Sequence, residues 1–154
     1  MVVWRRAPAL QVLLLHRSVF GAEFAGDWAW ATPGGGREPG EPPARAAARE
    51  LFEETGLVLD CLPVESAVAA GQPGIDVAVF AVEAPADADV VLSDEHDRYE
   101  WVGVESLTRC LPAWVHEMYR EVLAGLDLAS VESARMQHEN DDQRSVQPQE
   151  RRRR

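Results

Sequence analysis

The sequence predicts an α/β fold, in which a mixed β-sheet lies between helices as an α/β/α sandwich. Strand-like apolar segments alternate with helix-like segments along the chain, and strands and helices in mixed order are typical of such layers. The 154 residues suit one domain with a substantial core. We expect the helix after residue 43 on one side of the sheet and the final helix on the other.

Three strands are predicted before the first helix. Residues 1–6 form a short strand that begins without any lead-in, which leaves open whether Met1 is the native start. Residues 9–17 are nearly all apolar, which indicates a strand buried on both faces. A loop over 18–27 leads to a strand at 28–32, which Pro33 and the following glycines end. Residues 37–41 form a turn.

The first helix is predicted over residues 44–55. Pro42 and Pro43 suit a first helical turn, where a missing N–H costs nothing, and most residues up to Thr55 are good helix formers. Gly56 is a natural C-terminal cap.

The remaining elements follow from the alternation of apolar and turn residues. Two strands, 58–70 and 75–82, form a hairpin around a turn at 71–74, and an acidic loop covers 85–94. A short strand at 99–102, one or two helical turns at 104–111 and a final helix at 112–126 complete the domain, which we place at residues 1–128. Residues 129–154 are polar and charged, which predicts a disordered tail.

Composition restricts the partners of the chain. The net charge of −11 argues against a nucleic acid polymer, because such binding is driven by phosphate neutralisation. All 15 basic residues are arginine, so the phosphate-binding loop that requires lysine is absent from the sequence. No segment approaches the roughly 18 apolar residues of a membrane span, and the first residues lack the order of a signal peptide. We therefore expect a cytoplasmic protein with no membrane partner.

Three carboxylates, those of Glu50, Glu53 and Glu54, fall within just over one turn of the first helix. Residues three and four apart share a helix face, and like charges so placed repel. A cation would offset this repulsion, and hard divalent cations such as Mg²⁺ prefer oxygen ligands.

The spacing around these acids resembles the signature box of the Nudix hydrolases, which cleave nucleoside diphosphates linked to another group. The matching positions are Gly35, Glu41, Arg49, Glu50, Leu51, Glu53, Glu54, Gly56 and Leu57. The resemblance implies a Nudix-type sandwich and a nucleotide diphosphatase that uses Mg²⁺ or Mn²⁺. Water would attack phosphorus in a P–O–P linkage of a nucleoside triphosphate or another nucleoside diphosphate derivative.

The same resemblance assigns expected roles to residues of the box. Glu53 and Glu54 match metal ligands, and Glu50 matches a residue that is a ligand, the general base or both. The carbonyl group of Gly34 occupies a position that often completes the metal shell. Arg49 matches an arginine that orients a box carboxylate for catalysis.

A later acidic segment offers a further catalytic group. In the resembled family, an acid from a loop before a late strand often completes the metal site or acts as base. Glu95 is our choice for this role, and Asp94, Asp97 and Glu100 remain alternatives.

Candidate substrate contacts are less specific. Arg17 at the end of the second strand is expected to reach a phosphate, and Trp30 to stack on a base. Gly35 and Glu41 are expected to contact the substrate, and the resemblance also places Glu41 in an outer metal site or a hydrogen-bond network. The other aromatic candidates, which as strand residues are more often core, are Trp28, Phe80 and Trp101. The lone histidines His16 and His96 suit structural or exposed positions better than catalytic ones.

Two rival interpretations stay open. A binding or sensing module on the same fold would show little turnover, although such modules usually lose box carboxylates. A hydrolase of RNA ends fits poorly with the net charge of −11. The expected partner is a small-molecule nucleotide, with a nucleoside triphosphate, oxidised or not, preferred over ADP-ribose or a nucleotide sugar. The sequence leaves open whether the protein is a monomer or a homodimer.

Overall fold

The structure is a computed structural model that describes residues 1–18, 29–59, 62–70, 76–120 and 122–126. The chain divides into two compact units, Met1–Val122 and Leu123–Arg154, and the account below concerns the first. Its elements in chain order are β1 (Val2–Arg6), β2 (Leu10–Arg17), β3 (Trp30–Ala31), α1 (Pro43–Thr55), β4 (Leu62–Ala70), β5 (Asp76–Glu83), β6 (His96–Gly103), a 3₁₀ turn (Val104–Ser106), α2 (Leu107–Cys110) and α3, helical over residues 113–120.

The six strands form one mixed sheet around β2. Strand β6 pairs antiparallel with β2 from Gln11 to Arg17, while β1 pairs with its first half and β3 with Leu15 and His16. A strand has two edges, so β1 and β3 must share the edge opposite β6. Strand β1 also pairs parallel with β5, which forms an antiparallel hairpin with β4. The predicted mixed sheet and hairpin are confirmed.

Helix α1 covers one face of this sheet. Leu51 of α1 is fully buried in a cluster with Val3, Leu13 and Leu15, whose side chains point to that face. Val12 and Leu14 alternate with them and are equally buried, which confirms that β2 is buried on both faces.

The C-terminal helices cover the opposite face. Strand alternation places Thr32 on the face opposite Leu15, and the Tyr119 hydroxyl of α3 lies 2.6 Å from the Thr32 hydroxyl. Tyr119 itself is buried, as is Leu107 of α2. The unit is therefore the predicted α/β/α sandwich.

Several predicted bounds were wrong by more than a residue. Strand β4 begins at Leu62 rather than residue 58, and β6 begins at His96 rather than residue 99. Strand β6 is long because its backbone pairs along almost all of β2. The side chains of residues 97–100 are all exposed, so the sequence there lacks the apolar alternation that marks a strand. The predicted turn at 71–74 and tail at 129–154 lie outside the described residues, as do Trp28 and all of the 18–27 loop except Ser18. Among the helices within the described ranges, none is long and apolar enough to cross a bilayer.

Candidate active site

Helix α1 presents the box acids because both of its ends are defined locally. Pro42 is the N-cap and Pro43 the first helical residue, so the prolines remove N–H groups that would lack intrahelical partners. Gly56 ends the helix at φ 67°, and its N–H donates to the carbonyl of Phe52 at 2.8 Å. The helix was predicted to begin one residue later, at residue 44.

The end of α1 is also held from inside. The buried Thr55 hydroxyl donates to the Leu51 carbonyl at 2.5 Å and accepts from the Leu57 N–H at 3.3 Å. These bonds fix the last turn, which carries Glu53 and Glu54.

Arg49 is the centre of the hydrogen-bond network at this site. Its guanidinium donates twice to Glu41, at 3.1 and 3.0 Å, and once each to Glu50 and Glu53 at 2.9 Å. It also donates to the Gly36 carbonyl at 2.9 Å, which ties the glycine loop to α1. One nitrogen, Nη1, is shared by Glu50 and Glu53, so these two carboxylates lie close together.

This network changes the ionisation of its members. The hydrogen bonds from Arg49 lower the pKa of Glu41, and the Glu38 N–H contributes in the same direction. The carboxylates raise the pKa of Arg49, with Glu41 having the largest effect. Both side chains therefore stay charged, and the box acids keep a fixed positive partner.

Gly35 makes room for Glu50. A Cβ atom added at Gly35 would meet the Glu50 carboxylate, whose Oε1 would lie 2.7 Å away. Gly36 differs, because a Cβ there would meet nothing within 4 Å. We predicted Gly35 as a substrate contact; what the structure shows at this position is the contact with Glu50.

Glu54 lies apart from the arginine network. Its Oε2 accepts from the Gly34 N–H at 2.9 Å, and its side chain is 13% exposed. Burial raises the pKa of Glu54 to about 7, against the effect of the Gly34 hydrogen bond, and the nearby charges of Glu50 and Glu95 raise it further. A carboxyl group with a pKa raised this far is typical of functional sites.

A loop from late in the sequence docks on the C-terminal end of α1. The Val91 N–H donates to the Thr55 carbonyl at 2.9 Å, and the Ser93 N–H to the Glu54 carbonyl at 3.3 Å. Helix ends leave such carbonyls without intrahelical partners, so this loop completes α1. Ser18 holds the same loop from β2, since its N–H and hydroxyl donate to the carbonyls of Glu95 and Asp94 at 3.0 Å.

This loop carries Glu95 and His96 to the box. The exposed Glu95 is close enough to raise the pKa of Glu54. His96 is 8% exposed, and its Nε2 lies 3.9 Å from Glu54 Oε1. Burial lowers the pKa of His96, which favours the neutral ring. A structural role for His96 stays a prediction, and its place beside Glu54 was not foreseen from the sequence.

The other predicted contacts are placed differently. Asp97, an alternative to Glu95, pairs with His16 at 2.7 Å. The Trp30 and His16 rings meet edge-on with their centroids 5.0 Å apart, and the guanidinium carbon of Arg98 lies 5.5 Å from the Trp30 centroid. Arg17 is partly buried at the end of β2, near enough to His96 to lower its pKa.

The remaining candidates from the sequence are two aromatic residues and one acid. Trp101 stacks beneath the Arg5 guanidinium at 4.2 Å, and Phe80 is 6% exposed in the core. Glu100 is exposed on β6. Stacking of a base on any of these rings stays a prediction.

The donor set at this corner fits a hard divalent cation. Glu50, Glu53, Glu54 and Glu95 offer carboxylate oxygens, the ligands that Mg²⁺ and Mn²⁺ prefer. Within the described ranges, no three acidic or histidine side chains already converge on one point. Glu50 and Glu53 each accept from Arg49 through one carboxylate oxygen, and Glu54 accepts from Gly34 in the same way.

Comparisons with known proteins agree with this geometry. The NUDIX domain family matches residues 1–126, so the chain belongs to that family. A MutT protein from Methanosarcina mazei Go1 has 29% identity and a TM-score of 0.60, covering 78% of this chain and 86% of that one. An Ap4A hydrolase from C. elegans has 25% identity and a TM-score of 0.63, covering 82% and 95%. The predicted membership of the Nudix family is confirmed.

One curated relative is longer than this chain. An octanoyltransferase from Myxococcus xanthus is 43% identical over an alignment of 117 residues, and the match covers 72% of this chain and 31% of that protein. The chain thus spans less than a third of the length of that relative.

Proposed function

We propose that residues 1–128 form a catalytic domain that hydrolyses a P–O–P linkage in a nucleoside triphosphate or another nucleoside diphosphate derivative, using Mg²⁺ or Mn²⁺. The observation that carries this proposal is the arrangement at the end of α1. Arg49 holds Glu41, Glu50 and Glu53, while the partly buried Glu54 faces Gly34. The likeness to a MutT protein and to an Ap4A hydrolase supports a nucleotide substrate.

Glu50, Glu53, Glu54 and the Gly34 carbonyl would hold the cation, which when bound neutralises phosphate oxygens and lowers the pKa of a water ligand. Arg49 keeps Glu50 and Glu53 oriented toward the same side of α1. Glu50 or Glu95 accepts the proton of the attacking water. Glu50 is held against Gly35, whereas Glu95 is exposed on a loop fixed at both ends, so each has a defined position.

Arg17 and Trp30 are assigned to the substrate side, with Gly35 and Glu41 supporting the carboxylates that face it. We place the enzyme in the cytoplasm as a monomer or homodimer. We do not assign the transferase activity in the name of the longer relative to this chain, because the similar segment is under a third of that protein.

The test is a phosphate-release assay on a panel of nucleoside triphosphates, dinucleoside polyphosphates, ADP-ribose and nucleotide sugars, with and without Mg²⁺. Glu54→Gln and Glu53→Gln should abolish most turnover. Glu117→Gln is the matched control, because Glu117 is 61% exposed and pairs with Arg120 on the surface. Mass analysis of products formed in ¹⁸O-water identifies the attacked phosphorus.

Metal-dependent turnover that the two box variants lose, and the control keeps, would support the proposal. Tight metal-dependent nucleotide binding without product would instead identify a sensing module. Equal turnover in Glu54→Gln and the parent chain would show that the site lies elsewhere.

A further inference from the structure

A cavity of about 470 Å³ opens beside Glu50, between the first half of α1 and strand β5. The glycine loop, residues 34–36, borders it together with Arg37. Its size falls within the range of small-molecule sites. Its apolar lining includes Pro43, Ala46, Ala47, Val77, Ala78 and Phe80.

The described part of the lining has few polar side chains that could recognise a base or sugar. Among the described lining residues, Arg37 and Glu50 carry the polar side chains, and the glycine loop contributes backbone groups only. Burying the polar edge of a base without hydrogen-bond partners is unfavourable, so sites that select bases supply such partners. Phe80 is 6% exposed and therefore presents little ring face for stacking.

Small side chains create the space. Ala46 and Ala47 lie on the side of α1 that borders the cavity, and Ala78 is exposed on β5 across from them. An aliphatic chain gains contact with such walls and loses no hydrogen bonds on entering, and the gain grows with each buried methylene.

The cavity is continuous with the proposed catalytic carboxylates through Glu50, which forms part of its wall. A group that occupies the cavity would thus lie next to a diphosphate bound through the cation at Glu50, Glu53 and Glu54. Arg37 borders the same space and suits a phosphate oxygen, since a guanidinium pairs readily with phosphate.

We propose that this cavity binds an aliphatic group esterified to the distal phosphate of a nucleoside diphosphate, an inference that rests on the hydrolase function proposed above. Water adds to one phosphorus, and the bond from that phosphorus to the bridging oxygen breaks. The bridging oxygen leaves with the other phosphate. The products are a nucleoside monophosphate, an alkyl monophosphate and two protons.

The experiment uses the full chain and a series of ADP alkyl esters, from methyl to octyl, that differ in chain length alone. We expect kcat/KM to rise about fourfold for each added methylene until the cavity is filled. Ala78→Phe should fill the cavity and raise KM for the octyl ester more than tenfold relative to KM for the methyl ester. Ala44→Phe is the control, because Ala44 is exposed at the start of α1 and outside the lining.

Binding of the same esters, measured by calorimetry with Ca²⁺ in place of Mg²⁺, provides a readout that does not need turnover. A chain-length dependence in binding that Ala78→Phe removes supports the cavity assignment, even if hydrolysis fails and the proposed function falls. Hydrolysis of the methyl ester with no gain from longer chains overturns the assignment while the function stands. The same esters of UDP provide a further comparison. If affinity differs strongly between the UDP and ADP esters but does not depend on chain length, the nucleoside occupies this cavity and the assignment is overturned.

Discussion

Replacing Glu54 with glutamine should stabilise the metal-free protein at alkaline pH while destroying its activity. Glu54 is 13% exposed, and burial raises its pKa from the ordinary value of 4.5 to about 7. The folded protein therefore binds the Glu54 proton more tightly than the unfolded chain does. Stability must fall as pH rises from about 4.5 to 7, and the full penalty applies above that window.

The magnitude follows from the pKa difference. A difference of about 2.5 corresponds to about 3 kcal/mol at about 1.4 kcal/mol per pKa unit. Glutamine is uncharged, and its amide oxygen can accept the hydrogen bond from the Gly34 N–H. The variant should thus exceed the parent chain by about 2–3 kcal/mol at pH 8, and by less than about 1 kcal/mol at pH 5.

The assay is urea unfolding in EDTA at several pH values, followed by tryptophan fluorescence. The lowered pKa of His96 reduces stability as pH falls below its ordinary 6.5, so the two chains must be compared at each pH rather than across pH. Glu53→Gln serves as control, because the Glu53 side chain is 54% exposed. A stability difference between Glu54→Gln and the parent that is the same at pH 5 and pH 8 would refute the burial argument.

Adding Mg²⁺ at pH 8 separates burial from ligation. If Glu54 is a metal ligand, saturating Mg²⁺ should stabilise the parent chain and have little effect on Glu54→Gln, because ligand binding to the folded state adds stability by mass action. Equal stabilisation of both chains would remove Glu54 from the ligand set.

Three further predictions concern the surroundings of these acids. Gly35→Ala should lower kcat/KM about tenfold to a hundredfold by displacing Glu50, whereas Gly36→Ala, with open space around its new Cβ, should match the parent; equal loss in both would point to loop stiffness instead. Arg49→Lys should lower metal affinity in calorimetry and turnover by about tenfold to a hundredfold, since an ammonium group cannot reproduce the fork of bonds that Arg49 makes, and unchanged affinity would contradict this. Thr55→Val should cost about 1–3 kcal/mol in urea unfolding by removing two buried hydrogen bonds, and a cost below about 0.5 kcal/mol would show that neither bond matters.

The layout of α1 could be predicted from the sequence almost to the residue. Its signals are local, since Pro42, Pro43 and Gly56 determine the ends, and the spacing of three glutamates determines the acidic face. The pairing of Arg49 with Glu53 is local as well, because the two residues are four apart on one helix.

The bounds of a strand were harder to predict where its side chains are exposed although its backbone is paired. Strand β6 carries four exposed residues in succession and so lacks the alternation that marks a half-buried strand. Its backbone nevertheless pairs with β2 from Gly103 back to His96. Pairing depends on partner residues 79 to 92 positions away in the chain, and the local sequence of β6 does not specify them.

The sequence by itself determined the family, the mixed α/β sandwich and the set of candidate acids, because these depend on residue types at short, fixed spacing. Tertiary structure alone decided how each acid is used. Glu50 rests against Gly35, Glu54 is partly buried beside His96, and a cavity lined by small apolar residues opens next to them. Burial and pKa arise when segments distant in the chain exclude water from one another, and no local pattern encodes that contact.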